Sequence, residues 1–338
     1  MEKATKPELA QITGLSVVTV NSLISEMILE KEVLEGQTVP SHGGRPSLLC
    51  HYNNNFKHGL IIYGYQKRDK NHIKMLIINI KGEIVLEEEE DIEEVKVNSF
   101  FPMIDRAIES YPTTVYIAFG LPGVEEDGVI TINDYKALIG EEFVQTYKKR
   151  YGLPMFFEND INAAVKGYYY KKRKASLINI RADNSYRIDP LDKGRGDEIN
   201  NIVGIYFPRT YEPGAGIIIK GDIYRGYKNF AGEFPAIPFL PRWVGMDYND
   251  KETVVDRVSD ILSFFSCILA PEAFVVYGDF LSEELREEII KRTENKLNNK
   301  FPIALDIALE FYHDFQNGMI GIMLDRLQES FIKGDMLL

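Results

Sequence analysis

Two stretches of the chain carry side chains whose types and spacing could do chemistry. In the first, Met155–Glu158 reads as a short strand and Ile161–Lys171 as a helix. Asn159 and Asp160 therefore sit at a strand-to-helix junction. A carboxylate there can accept from hydroxyls, and an amide can both donate and accept, which is the chemistry a sugar needs. The same pair could also do no more than cap the helix. In the second, Ser16, Val17, Val18, Thr19, Asn21 and Ser22 open an amphipathic helix just after Gly14. Ser, Thr and Asn can hydrogen-bond base edges or phosphates, and a valine can touch a thymine methyl. An ordinary helical hairpin has the same layout. Further on, Gly43-Gly44-Arg45-Pro46 holds an arginine that could enter a narrow minor groove. It could equally be an exposed turn.

Periodicity and turn residues outline the elements that must hold these groups. Pro7 and Glu8–Ile12 suit a short helix ended by Gly14. Ser16 is a good N-cap for a second helix over Val17–Val33, with apolar residues at helical spacing. Two extended runs follow, Val33–Val39 and Ser47–Tyr52, joined by turn formers. This layout is a helix-turn-helix with a two-stranded wing, in which the second helix would enter the major groove.

From about residue 58 the pattern changes. His58–Tyr65, Ile73–Ile80 and Glu83–Glu87 are strand-like, Phe100–Tyr111 is helical and Thr114–Phe119 is a buried strand. Ile202–Phe207, Gly216–Ile219, the helix Val254–Leu269 and the strand Ala273–Tyr277 repeat that order. The two helices Glu283–Asn298 and Ile303–Phe331 finish the chain. Residues 172–200 read as a charged loop or insertion, with a strand near Leu177–Ile180. The class is α/β.

Composition sets limits. A chain of 338 residues, 45% hydrophobic, suits more than one domain. No apolar run is long enough to span a membrane, and no signal core opens the chain. Cys50 and Cys267 alone cannot build a disulfide framework or a cysteine zinc site, so a reduced cytoplasmic setting is expected. The net charge is −12, and residues 1–57 hold five cations against six carboxylates. Any DNA contact must then come from a local surface, with affinity built from more than one copy.

The segments ELAQITGLSVVTVNSLISEM and GGRPS resemble the winged helix of ROK-group (repressor, ORF, kinase) regulators, similar to xylose and N-acetylglucosamine-type repressors. ENDINAA (Glu158–Ala164) and PGAGIIIKGDIYRGYKNFAGEF (Pro213–Phe234) resemble the sugar-binding segments of the same family. The resemblance implies a winged helix over 1–57, without its usual first helix. It implies an actin-like, hexokinase-type ATPase fold over 58–338. One lobe is expected over about 58–160 with the C-terminal helix, and the other over 161–320.

The resemblance also makes Asn159, Asp160, Glu233 and Gly123 the sugar contacts, with Asp160 at the general-base position of the family's kinases. Those kinases need a glycine-rich phosphate loop with a metal-binding aspartate in the first hairpin. Here that stretch is Leu60–Lys67, where an apolar residue replaces the aspartate and one glycine remains, and Asp279 replaces a glycine beside Gly278. Ala236 stands where the family has a zinc-binding histidine. The expectation is a sugar-responsive repressor with no kinase activity, no metal and no cofactor. Its partners would be a DNA operator and a sugar effector, and its state a homodimer or homotetramer. A sugar kinase and a sensor without DNA binding are the alternatives.

Overall fold

The computed structural model describes residues 3–39, 46–67, 70–133, 135–177, 199–209, 212–237, 240, 242–243 and 245–332. It begins with strand β1 (Lys3–Thr5), helices α1 (Lys6–Thr13) and α2 (Val17–Leu29), and strands β2 (Val33–Val39) and β3 (Ser47–Tyr52). The three strands form one sheet in the order β1-β3-β2. The Thr5 hydroxyl accepts from the Glu8 N–H, and the Glu8 carboxylate accepts from the Thr5 N–H. This reciprocal pair starts α1. Gly14, at φ 71°, ends it in the left-handed region, where glycine meets no Cβ penalty.

Ser16 then caps α2. The two helices are bent by 116° relative to one another. Ala10, Val20, Ile24, Val33 and Cys50 form a small core between the helices and the sheet. Helix α2 stops at Leu29, short of the expected Val33, because Lys31 turns left-handed (φ 64°) and Val33 enters β2.

The rest of the chain is built twice on one plan. The first half runs β4 (His58–Lys67), β5 (Lys70–Asn79), β6 (Ile84–Ile92), α3 (Phe101–Ser110), β7 (Thr114–Gly120), a small hairpin β8 (Gly123–Glu126) and β9 (Val129–Asn133), α4 (Glu142–Tyr151), β10 (Met155–Glu158) and α5 (Asp160–Leu177). The second runs β11 (Ile202–Tyr206), β12 (Gly214–Ile219), β13 (Asp222–Ile223), α6 (Lys251–Leu269), β14 (Ala273–Tyr277), α7 (Glu283–Lys296), β15 (Leu305–Ala308) and α8 (Phe311–Ile332).

The sheets are β10-β7-β4-β5-β6 and β13-β12-β11-β14-β15. Each has the hairpin strands antiparallel on one side of its first strand and parallel strands on the other. Leu60, Ile61 and Ile62 of β4 are wholly buried, as a strand covered on both faces requires.

Helices α5 and α8 lie between the sheets, in one apolar cluster that includes Ile61, Ala163, Ile202, Val275 and Phe315. They approach closely where each has a glycine. A Cβ on Gly318 would lie 1.8 Å from the Ala163 carbonyl oxygen, and one on Gly167 would lie 1.9 Å from that of Asp314. Only glycine permits that approach.

Two further expectations are corrected. Residues 172–177 are helical, because α5 continues to Leu177; the rest of the expected strand near Leu177–Ile180 lies outside the described residues. Residues 305–308 are a strand and not helix: Leu305–Ala308 pairs in parallel with β14, and α8 starts only at Phe311. Leu305 and Ile307 fit the strand period and Ile303 and Ile307 the helical one, so periodicity alone could not separate the two. Among the described residues no single helix is long and apolar enough to cross a membrane.

Candidate functional site

Parallel pairing sets Glu158, the last residue of β10, beside Gly120, the last of β7. Both strands release the chain at this edge, the usual place for a site in such sheets. Asn159 links the two loops. Its Nδ2 donates to the Gly123 carbonyl at 3.0 Å, while its Oδ1 accepts the N–H of Ile161 at 3.0 Å and of Asn162 at 3.4 Å. It therefore caps α5 and also holds the first residue of β8. Asp160, the first residue of α5, accepts the Ile161 N–H at 2.8 Å. The positive end of the helix favours its charge.

Gly123, Asn159 and Glu233 line two adjoining cavities, and Asp160 lines the larger. The four residues singled out in the sequence for sugar contact thus converge. The smaller cavity, about 50 Å³, is polar, with Glu125, Glu158, Asn162, Arg225 and Asn229 in its wall. The larger, about 320 Å³, has Asp160, Glu212 and Glu233 beside Tyr65, Tyr135, Tyr206, Phe311, Tyr312 and Phe315. Tyr206 stacks on Phe311 with ring centres 4.0 Å apart, and Tyr65 lies 4.6 Å from Tyr312. Burial pushes the Tyr65 and Tyr206 phenols above their usual range, so both are neutral hydroxyls near pH 7.

The small cavity is held by an ion pair that joins the halves. Glu158, its side chain 2% exposed, is bound by the Arg225 guanidinium. It also accepts from Asn162 Nδ2 at 3.2 Å and from the Asn159 N–H at 3.1 Å. Alongside, Asn229 Nδ2 donates to the Glu125 carbonyl at 2.6 Å, and Lys228 lies 3.0 Å from Glu126. The loop after β13 is thereby fastened to the β8–β9 hairpin.

Arg225, Asn162 and the tyrosine wall were not legible as site residues. The side-chain partner of Arg225, Glu158, lies 67 residues away, and tyrosines among apolar neighbours read as core. Leu60–Tyr63, where a phosphate loop was sought, are buried strand residues, while Gly64 and Tyr65 reach the larger cavity. Asp279 is not an isolated charge: both its oxygens lie 2.8 Å from Arg209 Nε.

At the other end of the chain, Val17, Val18, Asn21 and Ser22 are exposed on the first turns of α2, Val18 at 79%. Ser16 and Thr19 serve the helix first. The Ser16 hydroxyl accepts the Thr19 N–H at 3.1 Å and shares a hydrogen bond with the Thr19 hydroxyl at 2.8 Å. Arg45, with Gly43 and Gly44, lies outside the described residues.

No family model matches the chain. Among curated proteins, a repressor of Caldicellulosiruptor sp. (strain Rt8B.4), assigned provisionally to xylose by its name, is 28% identical over 272 residues, covering 77% of this chain and 59% of that protein. The xylose repressor of Bacillus subtilis (strain 168) is 24% identical over 237 residues, covering 68% and 54%. The chain thus spans a little over half the length of these relatives.

Among solved structures, a ROK family transcriptional regulator, homolog of the E. coli MLC protein, superposes with TM-score 0.59 at 13% identity, covering 96% of this chain and 95% of that one. A ROK family glucokinase from Streptomyces griseus, in complex with glucose and AMPPNP, gives 0.52 at 14% identity, covering 78% and 98%. The fold is the mixed-sheet α/β, actin-like fold of these ROK structures, and in sequence the chain is similar to curated proteins named as xylose repressors.

Proposed function

We propose that this relative of the ROK repressors is a sugar-responsive transcriptional repressor without kinase activity. Residues 1–57 would be its winged helix-turn-helix, and 58–338 its sugar-binding body, with lobes over about 58–160 plus the C-terminal helix and over 161–320. The observation that carries the reading is the meeting of Gly123, Asn159, Asp160 and Glu233 at one cleft, in a chain whose curated relatives are named for xylose. Carboxylates and an amide around a cleft match the donors and acceptors of a polyol. Xylose is the first effector to test.

The DNA-reading half of the proposal rests on geometry. The 116° between α1 and α2 falls within the roughly 90–120° of helix-turn-helix pairs. The exposed start of α2 offers Val17, Val18, Asn21 and Ser22 to base edges. Few cations serve each head, so a homodimer or homotetramer reading paired half-sites fits better than a monomer.

Kinase chemistry lacks support. Phosphoryl transfer depends on neutralising phosphate charge, and the first hairpin offers apolar strand residues in place of a glycine loop and an aspartate. The test is a DNA-binding assay on the fragment upstream of the protein's own gene, with and without xylose and glucose. Salt-sensitive binding that one sugar weakens is expected. No binding to that fragment at low salt, or ATP turnover on a sugar abolished by Asp160→Asn, would overturn the proposal.

A further inference from the structure

The larger cavity is more than an annex of the polar site, because its size and wall specify a second group on the ligand. Resting on the sugar reading above, we infer that the effector is an uncharged disaccharide. One ring would be held at Gly123, Asn159 and Glu233, and the second would lie past Asp160 among Tyr65, Tyr206 and Tyr312.

Size is the first argument. A cavity of about 150 Å³ accepts one six-membered ring such as benzene. The larger cavity, at about 320 Å³, has room for two. The polar cavity, at about 50 Å³, holds less than one and supplies hydrogen-bonding partners at the edge of the larger space.

The wall is the second argument. Tyr65 and Tyr312 come from β4 and α8, and Tyr206 from β11, so both halves contribute rings to one chamber. Aromatic faces set around a few polar groups are how proteins hold a ring with an apolar face and a polar rim. The Tyr65 hydroxyl is spent on Glu89, to which it donates at 2.5 Å, so this residue offers the ligand its ring and not its O–H.

Charge is the third argument. Asp160, Glu212 and Glu233 line the chamber, and no lysine, arginine or histidine does so among the described residues. Arg209 follows a lining residue, Pro208, but its guanidinium is on Asp279 and over the Tyr248 ring. A phosphorylated sugar would meet three carboxylates and no described counter-charge. The chemistry therefore selects a neutral ligand over a sugar phosphate.

The test is titration calorimetry on the full chain with xylose, xylobiose, glucose, cellobiose and glucose 6-phosphate. We expect one disaccharide to bind at least about ten-fold more tightly than its monosaccharide, and glucose 6-phosphate not to bind. Tyr65→Ala and Tyr312→Leu should lower disaccharide affinity about ten-fold and leave the monosaccharide within about two-fold. Tyr65→Phe, which keeps the ring, should hold disaccharide binding near the parent value and guards against misfolding of the alanine variant. Equal binding of mono- and disaccharide, or tight binding of glucose 6-phosphate, would overturn this inference and leave the sugar reading standing. No binding by any member of the panel would overturn both.

Discussion

Asp160 and Phe311 occupy equivalent places in the two halves of the molecule. Each is the first residue of the last helix of its half, and each stands seven residues before the glycine, Gly167 or Gly318, where those helices meet. Both line the larger cavity. One half thus brings a carboxylate to the cleft, and the other an aromatic ring stacked on Tyr206. The backbone plan is shared, and the chemistry of the cleft comes from where the side chains differ.

The helix crossing gives the first prediction. Gly318→Ala would place a methyl 1.8 Å from a backbone oxygen, which no rotamer change can relieve. The helices must part, and the cluster around Phe315 and Met319 must loosen. We expect a loss of about 3 kcal/mol or more, at or beyond the top of the usual overpacking range. Chemical denaturation measures it, and a change below about 0.5 kcal/mol would contradict the packing described.

The ion pair between halves gives the second. Arg225→Ala leaves the buried Glu158 carboxylate without its cation. Breaking a fully buried pair costs roughly 3–5 kcal/mol. The arginine is 40% exposed, so water already screens it, and a loss of about 2 kcal/mol is expected. Adding Glu158→Gln should recover most of that loss, because the stranded charge is gone. A double variant as unstable as Arg225→Ala would mean that packing, not charge, sets the effect.

Asp314 gives a pH dependence. It is buried in α8, accepts from the Tyr277 hydroxyl at 3.1 Å and lies 3.9 Å from Lys171. Burial raises its pKa above the ordinary 3.8, against the smaller opposing pull of Lys171. The folded state then holds this proton more tightly than the unfolded chain does, so stability falls as pH rises from the ordinary value through the folded one. Asp314→Asn removes that fall while keeping an acceptor for Tyr277. Its stability relative to the parent should increase with pH across the window. Denaturation midpoints at about pH 4 and about pH 7 check the sign.

The exposed start of α2 gives the fourth. Val18→Asp puts a carboxylate on the first turn of a helix, where the dipole favours it, so the fold should be kept. The same charge would repel phosphates, so operator affinity should fall more than about ten-fold. A variant with unchanged melting and unchanged DNA binding would remove α2 from the interface.

Much of this architecture could be read from residue order. Strands β10 and β14 match their expected spans because apolar runs bounded by polar or turn residues have sharp ends. Gly14 and Ser16 marked the break between α1 and α2 for the same reason. Strand β15 was taken for helix because four residues carry too little periodicity. Strand β1 exists only through its pairing with β3, a contact with no local signature. At the site, Asn159 and Asp160 were visible because a strand-to-helix junction is a local feature. Arg225 and the tyrosine chamber were not, since they depend on how two halves of the chain come together.

The central claim is that sugar in the cleft and DNA at α2 are linked. Reciprocity makes this measurable: if the sugar weakens operator binding by some factor, the operator must weaken sugar binding by the same factor. Fluorescence anisotropy on the labelled upstream fragment, titrated with protein at fixed salt with and without saturating sugar, gives one factor, and calorimetry with and without the fragment gives the other. The account predicts equal factors of at least about five-fold, lost in Asp160→Asn. Sugar and DNA that each bind without altering the other's affinity would contradict it.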